Sequence, residues 1–144
     1  MANLLKDTEA CFARWPRWRR WFGARSERAA ARFLHRLGYR SIACNYADRR
    51  GEIDLIMLDG MTIVIVEVRS SESKDLKTLA ESVDREKQKR LTNAALRFLG
   101  KFRIKKINIR FDVLVIRWPA RQKHPEIRHY QNAFESIGQF QFYS

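Results

Sequence analysis

The sequence predicts an α/β fold, and three features carry that expectation. A stretch of helical period runs from Ser26 to Leu37, a β-hairpin brackets Asp59-Gly60, and a second long helical stretch leads into an apolar strand that starts near Ile107. A chain of 144 residues suits one domain, which at this length buries roughly two-thirds of the surface that the unfolded chain exposes.

Residues 1–24 stand apart. Trp15, Trp18, Trp21 and Phe22 are interleaved with Arg14, Arg17, Arg19 and Arg20, and Pro16 interrupts any helix begun before it. Stacking on bases, lying in a membrane interface and docking on the domain all fit such a segment; docking or a basic arm is the reading preferred. The first helix then follows, with Ala30, Phe33, Leu34 and Leu37 on its apolar side, Ser26 as N-cap and Gly38 as stop. Its other side carries Arg28, Arg32 and Arg36, a basic stripe that is a solvated face or a phosphate contact. Arg25 adds to that charge.

Ile53–Leu58 and Thr62–Val68 are strands, and Asp59-Gly60 between them is a strong hairpin signal. Leu79, Val83, Leu91, Ala95 and Phe98 mark one long helix that ends near Leu99, with Gly100 as left-handed C-cap. Ile107 to Ile116 form a further strand, central because its far end is apolar on both faces. After Trp118-Pro119 the chain turns polar and basic. The expected division is an arm over 1–24, a domain over 25–119 and a C-terminal extension over 120–144.

Lys and Arg number 29 against 16 Asp and Glu, giving a formal charge of +13. A polyanionic partner, nucleic acid, follows from that balance, though not an activity. Cys11 and Cys44 have no metal-ligand spacing, which indicates neither a disulfide framework nor a zinc site and suits a reducing cytoplasm. No stretch has the roughly 20 apolar residues of a membrane span, and the start lacks the pattern of a signal peptide, so stable membrane insertion is not expected.

If Asp59 and Gly60 form the hairpin loop, Leu58 faces Met61, Asp54 faces Ile65 and Glu67 faces Glu52. Asp54, Glu67 and Arg69 then share one face with Ile56, Leu58, Ile63 and Ile65. Diagonal neighbours stand roughly 7–8 Å apart at their backbones, close enough for two carboxylates to converge on one ion. Mg²⁺ or Mn²⁺ with these acids and the Val68 carbonyl is one reading; a salt bridge between Glu67 and a cation, with Asp54 ending a strand, is the other. Two helices add polar residues to apolar stripes. Glu27 falls on the inward side of the first helix, and Lys87, bordered by Gln88, on that of the second, near Arg90. Capping of backbone amides and snorkelling to solvent are their plainer roles.

These residues give the chain its resemblance to a known family. Gly23-x-x-x-Glu27, Gly38-Tyr39, Gly51-Glu52-Ile53-Asp54-Leu55-Ile56, Val66-Glu67-Val68-Arg69, Lys87-Gln88, Arg110-Phe111-Asp112-Val113 and Asn132-Ala133-Phe134 are similar to the YraN-like family of small bacterial proteins, within the restriction-endonuclease-like superfamily. The resemblance implies a three-layer core, a mixed β-sheet flanked by α-helices. It implies Asp54 and Glu67 as metal-binding acids, joined by Glu27 as in archaeal Holliday-junction resolvases, and a Mg²⁺-dependent endonuclease acting on DNA. One position departs from the pattern: the superfamily motif ends in lysine, and here the residue is Arg69. Arginine stays charged and cannot act as a general base, but it can hold water or a phosphoryl oxygen, and Lys87 can supply a lysine.

The expected catalytic set is Asp54, Glu67, Arg69 and Lys87, with nucleic-acid contacts from Arg25, Arg28, Arg32, Arg36, Lys87, Gln88 and Arg90. Water attacks in line, without a covalent enzyme intermediate. Cleavage of both strands of a duplex favours a homodimer. A non-catalytic nucleic-acid-binding module that keeps the fold is the alternative, and a basic assembly protein with ordinary salt bridges a third.

Overall fold

A computed structural model describes residues 24–137. The Trp-rich arm and Cys11 lie outside the described residues. The elements in chain order are α1 (Ala24–Arg36), β1 (Arg40–Asp48), β2 (Gly51–Asp59), β3 (Thr62–Ser71), α2 (Leu76–Glu81), α3 (Arg85–Lys101), β4 (Asn108–Arg117) and β5 (Glu126–Phe134). The strands form one mixed sheet in the order β1-β2-β3-β4-β5. Only the β3–β4 pair is parallel, as the helical crossover between them requires.

The sheet is buried on both sides. Alternation along β3 sends Val64 and Val66 to a cluster with Ala30, Ala31 and Leu34 of α1, together with Leu55, Met57, Leu114 and Ile116. Ile63 and Ile65 go to the opposite cluster, with Ile56, Phe111, Val113 and Val115 and with Leu79 of α2 and Leu91, Ala95 and Phe98 of α3. This is the expected three-layer α/β arrangement. Each fully buried aliphatic side chain contributes roughly 1.5–3 kcal/mol.

Several elements differ from their expected limits. The hairpin ladder pairs Asp59 with Thr62, so its loop is Gly60-Met61. Gly60 has φ +60 as the first loop residue, and Met61 needs no positive φ, which is the pattern of a type II′ turn. Ser26 lies inside α1 instead of capping it; its Oγ accepts a 3.0 Å hydrogen bond from Trp118 Nε1. Leu37 follows the helix and is 52% exposed.

The single long helix is two. Asp75 and Asp84 each cap a start, accepting from Thr78 N–H and Lys87 N–H at 2.8 Å. Val83 remains buried between them, so the apolar spacing runs unbroken across a real break. Gly100 is the penultimate residue of α3, and the left-handed residue is Arg103, with φ 53. Within the expected C-terminal extension, β5 pairs with β4 and closes one edge of the sheet.

Candidate functional site

The β2–β3 ladder runs from Asp59↔Thr62 to Leu55↔Val66 and stops there, although both strands continue. β2 goes on to Gly51 paired with β1, while β3 goes on to Ser71 paired with β4. The sheet therefore forks, and one step past its last pair the register sets Asp54 opposite Glu67. Their direct opposition replaces the diagonal relation expected, because the turn moves the register by two residues. A two-residue shift keeps parity, so the shared face is retained.

The fork has a local cause. Cys44 and Leu55 pack in the α1-side cluster, whereas the next pair, Tyr46 and Ile53, packs in the α3-side cluster. Between these pairs lie Asp54 and Asn45, whose φ is +49. The β1–β2 arm thus turns over at Asp54. The Asp54 side chain takes the place of a ladder carbonyl, its Oδ2 accepting a 2.8 Å hydrogen bond from Val68 N–H. In an extended strand the N–H and C=O of one residue face the same edge, so the Val68 carbonyl also faces the fork.

Glu67 is the buried member of the pair, with its side chain 5% exposed. Lys87 Nζ, from the first turn of α3, lies 3.5 Å from its Oε1, and Arg69 Nε lies 3.4 Å from the same oxygen. Both contacts exceed the roughly 2.7–2.9 Å of a good charge-assisted hydrogen bond. Glu67 Oε2 and Arg69 Nε are buried without a hydrogen-bond partner. Burial, then repulsion from Asp54, pushes the Glu67 carboxyl up to about 8, despite the two nearby cations. Burial likewise raises Asp54, opposed by the Val68 hydrogen bond and by Lys87. Both acids therefore hold a proton more tightly than isolated carboxyls do, because each is taken out of water and faces the other.

An orphaned carboxylate oxygen, a facing acid and a backbone carbonyl without a ladder partner from β2 are all hard donors, of the kind that Mg²⁺ and Mn²⁺ accept. The donor set fits such an ion with waters completing its shell. Glu27 is not brought to it: among the described residues no group of three or more His, Cys, Asp or Glu is placed to hold a metal. Glu27 belongs to α1, which packs on the other side of the sheet from Lys87. The inward stripe of α1 was real, but a helical stripe does not say which side of a sheet it covers.

Arg28, Arg32 and Arg36 share the α1 layer, with Arg32 and Arg36 exposed. Arg25 sets its guanidinium 3.6 Å above the Trp118 ring, joining the start of α1 to the end of β4. Gln88 donates through Nε2 to the Val83 carbonyl at 3.0 Å and so ties the α2–α3 break. Arg90 is exposed on α3.

A second polar cluster lies on the α1 side of β4. Asp112 is fully buried and accepts from Arg110 Nε at 2.8 Å, Arg110 Nη2 at 3.0 Å, His129 Nε2 at 2.7 Å and Asn132 N–H at 3.0 Å. Arg110 also reaches Asp59 at 3.0 Å and the Tyr39 hydroxyl at 2.6 Å, and that hydroxyl accepts from Gln131 at 3.1 Å. Sequence reading treats Arg110 and Asp112 only as part of a resemblance. An acid in the middle of an apolar strand, two residues from an arginine, was the available signal.

The sequence model of the uncharacterised protein family UPF0102 matches residues 26–116, which includes the fork and both cations beside it. The chain belongs to this family. Among its members, a UPF0102 protein of Rhodopirellula baltica is 42% identical over 124 residues, 84% of this chain and 74% of the relative. One from Chlorobaculum tepidum is 42% identical over 67% of this chain and 74% of its own length. A member from Pseudomonas aeruginosa is 39% identical over 79% of this chain and 92% of its own.

Proposed function

We propose that this UPF0102 protein is a metal-dependent nuclease-like protein that binds DNA and hydrolyses phosphodiester bonds. The observation that carries this reading is the fork, where buried Glu67 faces half-buried Asp54 and meets Lys87 and Arg69 in contacts too long to satisfy it. Asp54, Glu67 and the Val68 carbonyl would hold Mg²⁺ or Mn²⁺. The ion supplies Lewis acidity toward a phosphoryl oxygen. Lys87 and Arg69 turn from Glu67 to the phosphate and offset the charge that grows on it during in-line attack by water. Arg69 does so as a fixed charge, since its guanidinium does not give up a proton at working pH.

The charge of +13 supports a polyanionic partner, with the exposed arginines of α1 as sequence-independent phosphate contacts. Among the described residues no helix is long and apolar enough to cross a membrane. We place the protein in the cytoplasm, and cleavage of both strands of a duplex would call for two copies. One observation favours a second reading: Arg69 stands where the superfamily lysine would, which suits a nucleic-acid-binding module that has kept the fold and lost cleavage.

Calorimetric titration of the whole chain with Mg²⁺ and Mn²⁺, beside Asp54→Asn, tests the site. Saturable binding by the wild type that is lost in the variant is expected, together with cleavage on a panel of linear and branched DNAs. Binding without cleavage supports the second reading. No binding by the wild type ends the nuclease reading.

A further inference from the structure

The α3–β4 connection carries charge that the fork does not use. Between Lys87 and Phe111 the sequence has no acidic residue. Lys101, Phe102, Arg103, Lys105 and Lys106 are all exposed, and among the described residues none of these four cations is in an ion pair. The segment is nevertheless pinned. Ile104 and Ile107, interleaved with the cations, pack against the α3-side core. Phe102, Arg103 and Ile104 donate their N–H groups to Phe98, Gly100 and Leu99 carbonyls at 3.2, 3.2 and 2.9 Å. Arg103 and Lys106 hold left-handed backbones, φ 53 and 55, which non-glycine residues adopt only at a cost. A basic loop whose backbone is held this firmly keeps its cations gathered on one surface.

That surface includes an aromatic. Phe102 stays 40% exposed with its ring centroid 5.1 Å from that of Phe98 and 6.3 Å from that of Tyr46. Lys101 Nζ stands 5.8 Å from the Phe102 ring and 5.9 Å from the Tyr46 ring. Tyr46 belongs to the β1–β2 arm, and Arg97 of α3 binds Asp48 at the end of β1, with Nη2 to Oδ1 at 3.2 Å. The loop is therefore seated against the arm that carries Asp54. At the turn of that arm Arg49 and Arg50 are exposed, and the nearby Asp48 is already neutralised by Arg97.

We infer that this surface binds single-stranded nucleic acid, with a base stacked on Phe102 and phosphates paired with Arg103, Lys105, Lys106, Arg49 and Arg50. Cations alone fit any nucleic-acid backbone. An exposed ring among them adds a contact that only an unpaired base can make, because in a duplex the faces of the bases are occupied by their neighbours. Since the arm joins this surface to the fork, the substrate class is a nucleic acid with an unpaired segment beside the scissile phosphate. That last step rests on the proposed nuclease function; the binding itself does not.

Fluorescence anisotropy of the whole chain in chelator, without divalent metal, separates the two. The probes are a labelled oligothymidylate of about 20 nucleotides and a blunt duplex of equal length. Phe102→Leu keeps an apolar side chain against Phe98 but removes the π face. It is expected to weaken oligothymidylate binding about tenfold while duplex binding moves less than about twofold, and Phe102→Trp is expected to retain affinity. Replacing Arg103, Lys105 and Lys106 by Gln should flatten the salt dependence of single-strand binding by about two units of log–log slope. Thermal unfolding checks that each variant is folded.

The inference is overturned if the wild type does not bind oligothymidylate, or if Phe102→Leu binds it as the wild type does. It also fails if both probes weaken together, or if Phe102 instead governs sedimentation with phosphatidylserine vesicles. A wild type that binds single strands through Phe102 but cleaves no DNA in Mg²⁺ upholds this surface and removes the nuclease reading. One that cleaves while Phe102→Leu binds normally does the reverse.

Discussion

Two buried acids sit on opposite faces of the same sheet, Glu67 on β3 toward α3 and Asp112 on β4 toward α1, and their surroundings could hardly differ more. Burial alone would raise the Asp112 carboxyl, yet the hydrogen bonds from His129, Arg110 and Asn132 outweigh it and hold the group below the ordinary carboxylate range. Glu67 has two cations near one oxygen, no hydrogen-bond partner at the other, and a second acid in front of it. Saturation marks a cluster that has finished its work on folding. A shortfall of partners marks one that a ligand can complete.

The largest effect that tests this contrast is on Asp112. Asp112→Ala leaves Arg110 and His129 facing an empty acceptor, and urea unfolding should show a loss of about 3–5 kcal/mol. A loss under about 1 kcal/mol would mean that the saturated cluster is not structural.

Next comes Glu67→Gln, in the opposite direction. Removing one of two facing acids should stabilise the metal-free protein by on the order of 1–3 kcal/mol near pH 9, while abolishing Mg²⁺ binding. Destabilisation at that pH would show that Glu67 is an ordinary ion-pair partner.

The pH profile carries both clusters. Glu67 has a folded pKa of about 8, above its ordinary value, so the folded state binds the extra proton. Its contribution is complete below the ordinary glutamate range and is lost as pH rises toward and through about 8. Asp112 is shifted down; its contribution is complete above the ordinary aspartate range and is lost as pH falls through its lowered value. Wild-type stability should therefore decline on both flanks, the alkaline decline vanishing in Glu67→Gln. Saturating Mg²⁺ should lift the alkaline flank as well, since it binds the ionised acids.

The smallest effect concerns Lys87, whose 3.5 Å contact with Glu67 is partly solvated, the lysine side chain being 23% exposed. Lys87→Met should change stability by less than about 1 kcal/mol, yet reduce cleavage. A large stability loss with unchanged cleavage would reverse its proposed role.

How much of this was legible depended on parity and periodicity. Asp54, Glu67 and Arg69 were placed on one face because an antiparallel hairpin keeps parity even when its turn is misassigned. Lys87 reached Glu67 as its place on an apolar stripe suggested. Glu27 did not, since a helical stripe leaves open which face of the sheet it covers. The two edge strands were hidden by local irregularity. β1 carries a register shift near Ile42 and a left-handed Asn45, and β5 shifts register around Asn132, with φ 50, so neither shows clean alternation. The polar cluster around Asp112 depends on β5, which explains why its partners were not foreseen.

The hydrogen bond from Val68 N–H to Asp54 also has a bearing on how variants are judged. It acts as the last tooth of a zip between β2 and β3, since the backbone ladder has already ended at Leu55 and Val66. An alanine at position 54 thus takes away a charge and lengthens the split in the sheet at once, whereas an asparagine can keep the tooth while discarding the charge. Lost activity in the first substitution would mix chemistry with architecture; only the second tells them apart.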